Sequence, residues 1–415
     1  MTIKRRAVVK GIAASVGVAG LKMPAVVAQP ATLKLGLLTV KTGPLAQGGS
    51  QMSQGIEVFL KEKNNTLSGR KTELLSADTA GNPAGAKTKL IELVERDHVD
   101  IILGPFAAFE LLAISDYVRE HEIPLMSIAA AEDVTQRKAN PWVVRPAVSS
   151  AQTPHVLADY CAKEMKFKVM STLANDFAFG HEECAGFQRV FEDAGGKIVQ
   201  KLWPPLVTPD FLPYTSQIRD VDALFNGLGG GNPIRFMRTY AELGLKDKIP
   251  MLGGWSFLDD PLLKTLGDEA VGIYSAHWYT PTYDSPSNRR FVEAIHKDYG
   301  DIAGGGAAGL YVAGQVIEAA LAKTGGRTDD KKAFMQAVRA VSLTDTPRGA
   351  FHFDEFGNGV GPVFIRRCER KDGKLVNTVI KTYPDVTQFW TYDVKDFLAQ
   401  PVYSRDWPPA KNLRS

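Results

Sequence analysis

The sequence predicts an α/β protein of two domains, each a doubly wound parallel sheet covered by helices. Three observations predict it. Short apolar runs of strand length alternate with amphipathic helical stretches from Thr32 onward, which is the pattern of βαβ units. A second such series starts after "WVVRPAVSSAQTP". The 415 residues suffice for two cores, and 44% hydrophobic with 23% charged content is ordinary for a globular chain.

The first segment is a leader rather than part of the fold. Residues 1–28 carry Lys4, Arg5, Arg6 and Lys10, then a small and apolar run, and end in Val26-Val27-Ala28, a site small enough for a signal peptidase. The Arg5-Arg6 pair resembles a twin-arginine export signal, with general secretory export as the alternative. No cysteine for a lipid anchor lies near the cut, and no later apolar stretch approaches the roughly 20 residues of a membrane span. The mature chain is therefore expected in the periplasm. The leader holds five of the 49 Lys and Arg and none of the 46 Asp and Glu, leaving 44 against 46, a net of −2. That balance disfavours nucleic acid, whose phosphates demand a basic surface.

In the first domain, "TLKLGLLTV" predicts a strand and "KTGPLAQGGSQ" a Gly/Pro loop, with a helix over "MSQGIEVFLKEKNN". The strand "KTELLSAD" and helix "AKTKLIELVERDH" follow. Next come strand "VDIILG", helix "PFAAFELLAISDYVREHE" and strand "IPLMSIAAA". The second series runs through helix "HVLADYCAKEM", strand "KVMSTLA", helix "HEECAGFQRVFEDAG" and strand "KIVQKLW". It continues with the short helix "LPYTSQI", strand "DALFNGL", helix "IRFMRTYAELG" and strand "IPMLGG". Helices are then predicted over 287–299, 307–324 and 329–341, and they need the first domain's sheet to cover. A β-rich tail follows, with a hairpin signal at Asp372-Gly373.

Catalytic motifs are incomplete. "GGWSFL" approaches the Gly-x-Ser-x-Gly elbow around Ser256 but ends in Leu258, and no histidine is placed beside Asp259 and Asp260. "GLGGGNP" lacks the last glycine of a dinucleotide loop, with Asn232 in its place. "HEEC" puts His181 and Cys184 on one helical face, too few ligands for a structural zinc site. The other six histidines are scattered singly. No metal, cofactor or enzymatic activity is expected. Of the cysteines, Cys161 and Cys184 flank one predicted strand and could pair; buried free thiols are the other reading for them and for Cys368.

The remaining signal is a set of loops at the ends of parallel strands, where open α/β sheets bind small ligands. They are "TGPLAQGG", "GPFAAFE", "SIAAAED", "NDFAFG", "GLGGGNP" and "GGWSF", rich in glycine, alanine and aromatics. They contribute Gly48, Phe106, Ala107, Ala108, Phe109, Ala129, Ala130, Ala131, Phe179, Asn232 and Trp255 as candidate ligand contacts. Core filling is the alternative role for each aromatic. Arg145 and Arg289 are basic side chains that could reach the cleft mouth.

These loops, with "LKLGLLTVKTGPLAQGGSQMSQGIEVF", "MRTYAELGL", "GGAAGLYVAGQVIEAAL" and "GAFHFDEFGNG", resemble the leucine/isoleucine/valine-binding type of periplasmic receptors of ABC transporters. The resemblance covers nearly the whole mature chain. It implies a type I periplasmic-binding-protein fold, two lobes joined by a three-crossover hinge. The lobes would be residues 32–149 plus 281–353 and residues 150–280 plus 354–415, with crossovers near 148–152, 278–281 and 353–357. It also implies a monomer with a permease and an ATPase as partners. Site residues depart from the branched-chain pattern. Gly48 stands where the family has an aromatic, Ala108 near its serine, Ala131 at its threonine, and Phe179 keeps the aromatic without a hydroxyl. Trp255 stands where the family pairs an acidic residue with the ligand's ammonium. An amino acid would lose charge-assisted hydrogen bonds of about 1.5–3 kcal/mol each. A planar ring would instead gain about 0.5–1.5 kcal/mol per aromatic contact. The expected cargo is an aromatic monocarboxylate, its carboxylate on the N–H groups of Ala107–Glu110. A receptor for amino acids or amides, and a sensor on the same fold, are the alternatives.

Overall fold

The structure, a computed structural model, describes residues 31–414, so the expected leader lies outside the described residues. The first sheet is built from β1 (Leu33–Thr39), α1 (Ala46–Glu62), β2 (Thr66–Leu67), β3 (Arg70–Asp78), α2 (Pro83–Ile91), β4 (Ile101–Leu103), α3 (Ala108–Glu120), β5 (Leu125–Met126) and β6 (Val143–Val144). Its strand order is β2-β3-β1-β4-β5-β6, parallel except for the β2–β3 hairpin.

The chain then enters a second sheet through α4 (Gln152–Lys163), β7 (Val169–Ala174), α5 (Ala178–Asp193), β8 (Lys197–Leu202), α6 (Leu212–Thr215), β9 (Ala223–Gly227), α7 (Asn232–Glu242), β10 (Met251–Gly253) and β11 (Tyr274–His277). It returns to the first with α8 (Pro286–Tyr299), α9 (Gly305–Thr324) and α10 (Lys331–Arg339), of which α8 and α9 pack on α1. The tail adds β12 (Ser342–Leu343), β13 (Phe351–Phe353), β14 (Gly359–Lys371), β15 (Lys374–Val386) and α11 (Val394–Ala399). The second order is β12-β13-β14-β11-β10-β9-β7-β8, with β15 on β14. The β14–β15 pair turns at Asp372 and Gly373, both with positive φ (50° and 76°), as the Asp-Gly signal predicts.

Both sheets are doubly wound. In each, the strand order reverses between two paired parallel strands, β1 and β4 in the first, β7 and β9 in the second, so the connections leaving their carboxyl ends run opposite ways and open a crevice there. The largest core joins the first sheet to α8–α10 and reaches Trp255, Trp278 and Phe179; two further cores cover the faces of the second sheet.

Local differences from the sequence reading have tertiary causes. The expected loop over 41–51 gives way to helix at Ala46, so Gly48 and Gly49 are helical despite low propensity. A Cβ on Gly49 would stand 1.9 Å from the Val40 carbonyl oxygen, and one on Gly48 would stand 2.1 Å from the Phe106 ring. Glycine lets α1 lie against its own sheet. The strand expected over 123–131 is regular only at Leu125–Met126. Its continuation is held by side chains instead, the Arg145 guanidinium donating to the carbonyls of Ala129 (2.9 Å) and Ala131. All three cysteines are free and buried, and burial raises the Cys184 thiol to about 12 and the Cys368 thiol to about 11.

The two sheets are tied by a buried polar cluster at the connections. Arg145 Nη1 donates to Asn358 Oδ1 (2.6 Å) and Thr135 Oγ1 (2.5 Å). Asn358 Nδ2 donates to Gln152 Oε1 (2.9 Å), and Ser150 Oγ to Glu182 Oε2 (2.6 Å). Burial lowers the Arg145 pKa to about 10 and pushes the Glu182 carboxyl well up. Arg145 is thus a linchpin of the connections rather than a cleft residue. Arg289 is an exposed partner of Asp284.

Candidate ligand-binding site

Two adjoining cavities lie where the two crevices face each other, sharing Leu45, Phe106, Gly230, Trp255 and Ser256 as walls. The strand-end loops of both sheets supply them. The Gly253-Gly254 pair that leads into Trp255 answers a packing demand. A Cβ on Gly253 would meet the Phe257 ring at 2.2 Å, and one on Gly254 would meet Glu183 Oε1 at 2.3 Å. With both positions bare, the turn drops against α5 and the indole is delivered to the cleft.

Trp255 is 7% exposed, and its ring sits edge-on to Phe179 (5.8 Å between centroids), His277 (6.1 Å) and Trp278 (6.3 Å). These edge-on pairs fix its plane. Its Nε1–H is buried without a hydrogen-bond partner, a donor whose desolvation costs about 1–3 kcal/mol until an acceptor arrives.

The first cavity ends on polar groups. Asp259, 6% exposed, accepts from His277 Nε2 (3.1 Å) and Gly305 N–H (3.1 Å) at Oδ1, and from Gln51 Nε2 (3.1 Å) at Oδ2. Burial works against its charge, but the bonds from His277, Gly305 and Gln51 outweigh it and hold the carboxyl below its ordinary range. Burial, helped by Arg366, lowers the His277 pKa to about 4, so its ring is neutral at neutral pH. Its Nδ1 accepts from Tyr279 N–H (2.9 Å), which fixes the proton on Nε2. The one acidic side chain on the cavity walls is therefore already hydrogen-bonded three times.

The second cavity is walled by Phe106, Ala107, Ala108, Ala130, Phe177 and Phe179. Its walls include the N-terminal ends of α3 and α5 and the Gly229-Gly230 entry to α7. Three helix N-termini around an apolar space favour an anion there. Two of the expected donors are spent: Ala107 N–H donates to Glu110 Oε2 (3.1 Å) and Glu110 N–H to the Ala107 carbonyl (3.2 Å), while Thr79 Oγ1 donates to Glu110 Oε1 (2.5 Å). Burial raises the Glu110 carboxyl.

Of the sequence-derived candidates, Gly48, Phe106, Ala107, Ala108, Ala130, Phe179 and Trp255 come together on the cavity walls. Four do not. Phe109 backs the wall, edge-on to Phe177 at 5.6 Å. Ala129 and Ala131 face inward, where their carbonyls serve Arg145. Asn232 is buried, donating to the carbonyls of Pro205 (3.0 Å) and Leu206 (2.9 Å) and so pinning the loop beside α7. Sequence reasoning missed Leu45, Gln51, Phe177 and Asp259. Leu45 and Phe177 lie in strand-end loops that the sequence does mark, and Asp259 stands four residues after Trp255; Gln51 carries no local signal. Ser256, the residue of the broken elbow, donates to the Leu228 carbonyl (3.0 Å), so its hydroxyl proton is committed to the backbone. Among the described residues no cluster of His, Cys, Asp or Glu could hold a metal, and no helix is long and apolar enough to cross a membrane.

Two doubly wound sheets facing across a cleft, with a strand-end aromatic at its centre, define a two-lobed solute receptor. The chain belongs to the periplasmic binding protein family, whose sequence model matches residues 32–374. It is 29% identical over 364 residues to Leu/Ile/Val-binding protein homolog 6 of Brucella melitensis biotype 1, covering 85% of this chain and 91% of the relative. An ABC transporter substrate-binding protein from Sphaerobacter thermophilus is 33% identical with a TM-score of 0.81, covering 86% of this chain and 99% of its own. The solute-binding protein of an ABC transporter from Rhodopseudomonas palustris BisB5, in complex with 3,4-dihydroxybenzoic acid, is 32% identical with a TM-score of 0.82, covering 86% and 98%. The protein is thus an ABC-type solute-binding receptor rather than an enzyme, taking up a small molecule and engaging permease components.

Proposed function

We propose that the protein is a periplasmic receptor of an ABC importer for a small aromatic carboxylic acid of benzoate or phenylpropanoid type. The ligand is held between lobes 32–149 plus 281–353 and 150–280 plus 354–415. Binding stabilises the closed form, because only that form touches the ligand from both sides, and the closed form is presented to the permease. The observation that carries the reading is Trp255: a cleft indole with an unpartnered N–H stands beside Phe106, Phe177 and Phe179. On this reading a ring stacks among these faces, and its carboxylate meets the helix N-termini and the indole N–H. The relative crystallised with 3,4-dihydroxybenzoic acid supports the same class. The basic and apolar leader of residues 1–28 supports export.

A second reading, an amino-acid receptor, draws on Asp259 as a cavity wall that could meet an ammonium group. It is disfavoured because His277, Gly305 and Gln51 leave that carboxylate about one open acceptor position, against the three N–H donors of an ammonium group. Incubating the protein with an equimolar mixture of leucine, valine, benzoate and coumarate, desalting it and identifying the retained compound by mass spectrometry decides between them. Retention of an aromatic acid is expected. Retention of leucine or valine overturns the proposal.

A further inference from the structure

The two cavities that meet at Trp255 offer a ligand different things. One is walled by rings, methyl groups and backbone, and the other ends on Gln51 and Asp259. At that end these donors point into the protein: His277, Gly305 and Gln51 toward Asp259, Gly306 N–H toward Gln51 Oε1 (3.2 Å), and Ser256 Oγ toward Leu228. Lone pairs remain. An ionised carboxylate has about four acceptor sites, of which three are used here, leaving one on Asp259 Oδ2. A second is left on Gln51 Oε1, which accepts one bond, from Gly306 N–H. This end therefore asks for a proton and repels a carboxylate, so it also sets which way round a bipolar ligand lies.

Resting on the aromatic-acid reading above, we propose that Asp259 and Gln51 select a ring bearing a phenolic hydroxyl on the edge remote from its carboxylate. A hydroxyl there donates to the open lone pairs. A bare, alkyl or methoxy edge desolvates a charged carboxylate and returns nothing, the kind of mismatch against which polar sites discriminate strongly. The same carboxylate joins the lobes, since Asp259 follows β10 of the second sheet whereas Gln51 lies on α1 and Gly305 on α9 of the first. Reading the hydroxyl and closing the cleft thus engage one group.

The test is calorimetric titration of the mature chain with benzoate, 4-hydroxybenzoate and 4-methoxybenzoate, repeated on Asp259→Asn and Gln51→Leu. In the unaltered chain 4-hydroxybenzoate is expected to bind about tenfold or more tighter than either of the others. In both variants its advantage over benzoate should shrink to about threefold or less. Equal affinity for benzoate and 4-hydroxybenzoate in the unaltered chain overturns the selection. So does an advantage that survives both substitutions, or a loss that both ligands share equally, which is what a purely structural latch would give. If none of the three acids binds, the aromatic-acid reading itself fails, whereas tight benzoate binding with no hydroxyl preference removes only the role of Asp259 and Gln51.

Discussion

On the proposed function, Trp255 is the residue that separates a pocket for rings from a pocket for amino acids. It would offer the ligand a face and an N–H, and the two can be pulled apart. Trp255→Phe keeps an aromatic surface and removes the donor, so affinity for an aromatic acid should fall about tenfold, the worth of one hydrogen bond to a charged group. Trp255→Ala removes both and should cost about a hundredfold or more, as loss of a buried aromatic anchor does. Calorimetry with benzoate checks both, and thermal melting checks that each variant still folds. If Trp255→Ala lowers the melting point while affinity holds, the indole is core and not contact. Glu183 makes a second residue-scale case. Both its oxygens are buried without a hydrogen-bond partner, and burial, then Glu182, pushes its carboxyl well above the ordinary 4.5. A raised acid stabilises the fold fully only below that ordinary value and loses the contribution as pH rises through the folded one. Glu183→Gln should therefore raise the melting temperature at pH 8, by about 2–4 °C per kcal/mol relieved, with the difference closing toward pH 4. A melting scan across pH reads it directly.

At the scale of elements, the seam between α1 and α9 positions one wall of the cleft. A Cβ on Gly55 would stand 2.0 Å from the Ala307 carbonyl oxygen, so Gly55→Val must push the helices apart. We expect a loss of about 1–3 kcal/mol in denaturant unfolding and weaker ligand binding, because Gln51 rides on the same helix. This seam also marks where the sequence stops being readable. Buried strands such as "VDIILG" and amphipathic helices such as 287–299 announce themselves through local pattern, and so did the Asp-Gly hairpin. The start of α1 did not, because Gly48 and Gly49 are fixed by Phe106 and Val40 rather than by helix propensity. The cavity divides in the same way. Strand-end loops point to Trp255, Phe106 and Phe179, since position on a parallel sheet selects them. Whether an alanine faces the cleft or an arginine behind it depends on one rotation of backbone, so Ala130 and Ala131 differ with nothing local to distinguish them. The Gln51–Asp259 bond joins residues 208 positions apart and exists only once the two sheets face each other.

For the molecule as a whole, function is the relative placement of two sheets. Their tie is the buried cluster of Arg145, Asn358, Gln152, Ser150 and Glu182 at the connections, while Asp259 and Gln51 meet across the cleft. A receptor arranged this way should become more compact on binding. Small-angle scattering with and without benzoate is expected to show a smaller radius of gyration in its presence, and an unchanged radius at saturation would argue against ligand-driven closure. The central claim, a ring with a carboxylate in place of an amino-acid zwitterion, is tested most directly by titrating the mature protein with benzoate and with leucine in the same calorimeter. The account predicts saturable binding of benzoate and no measurable heat from leucine. Tight binding of leucine with no response to benzoate would contradict it.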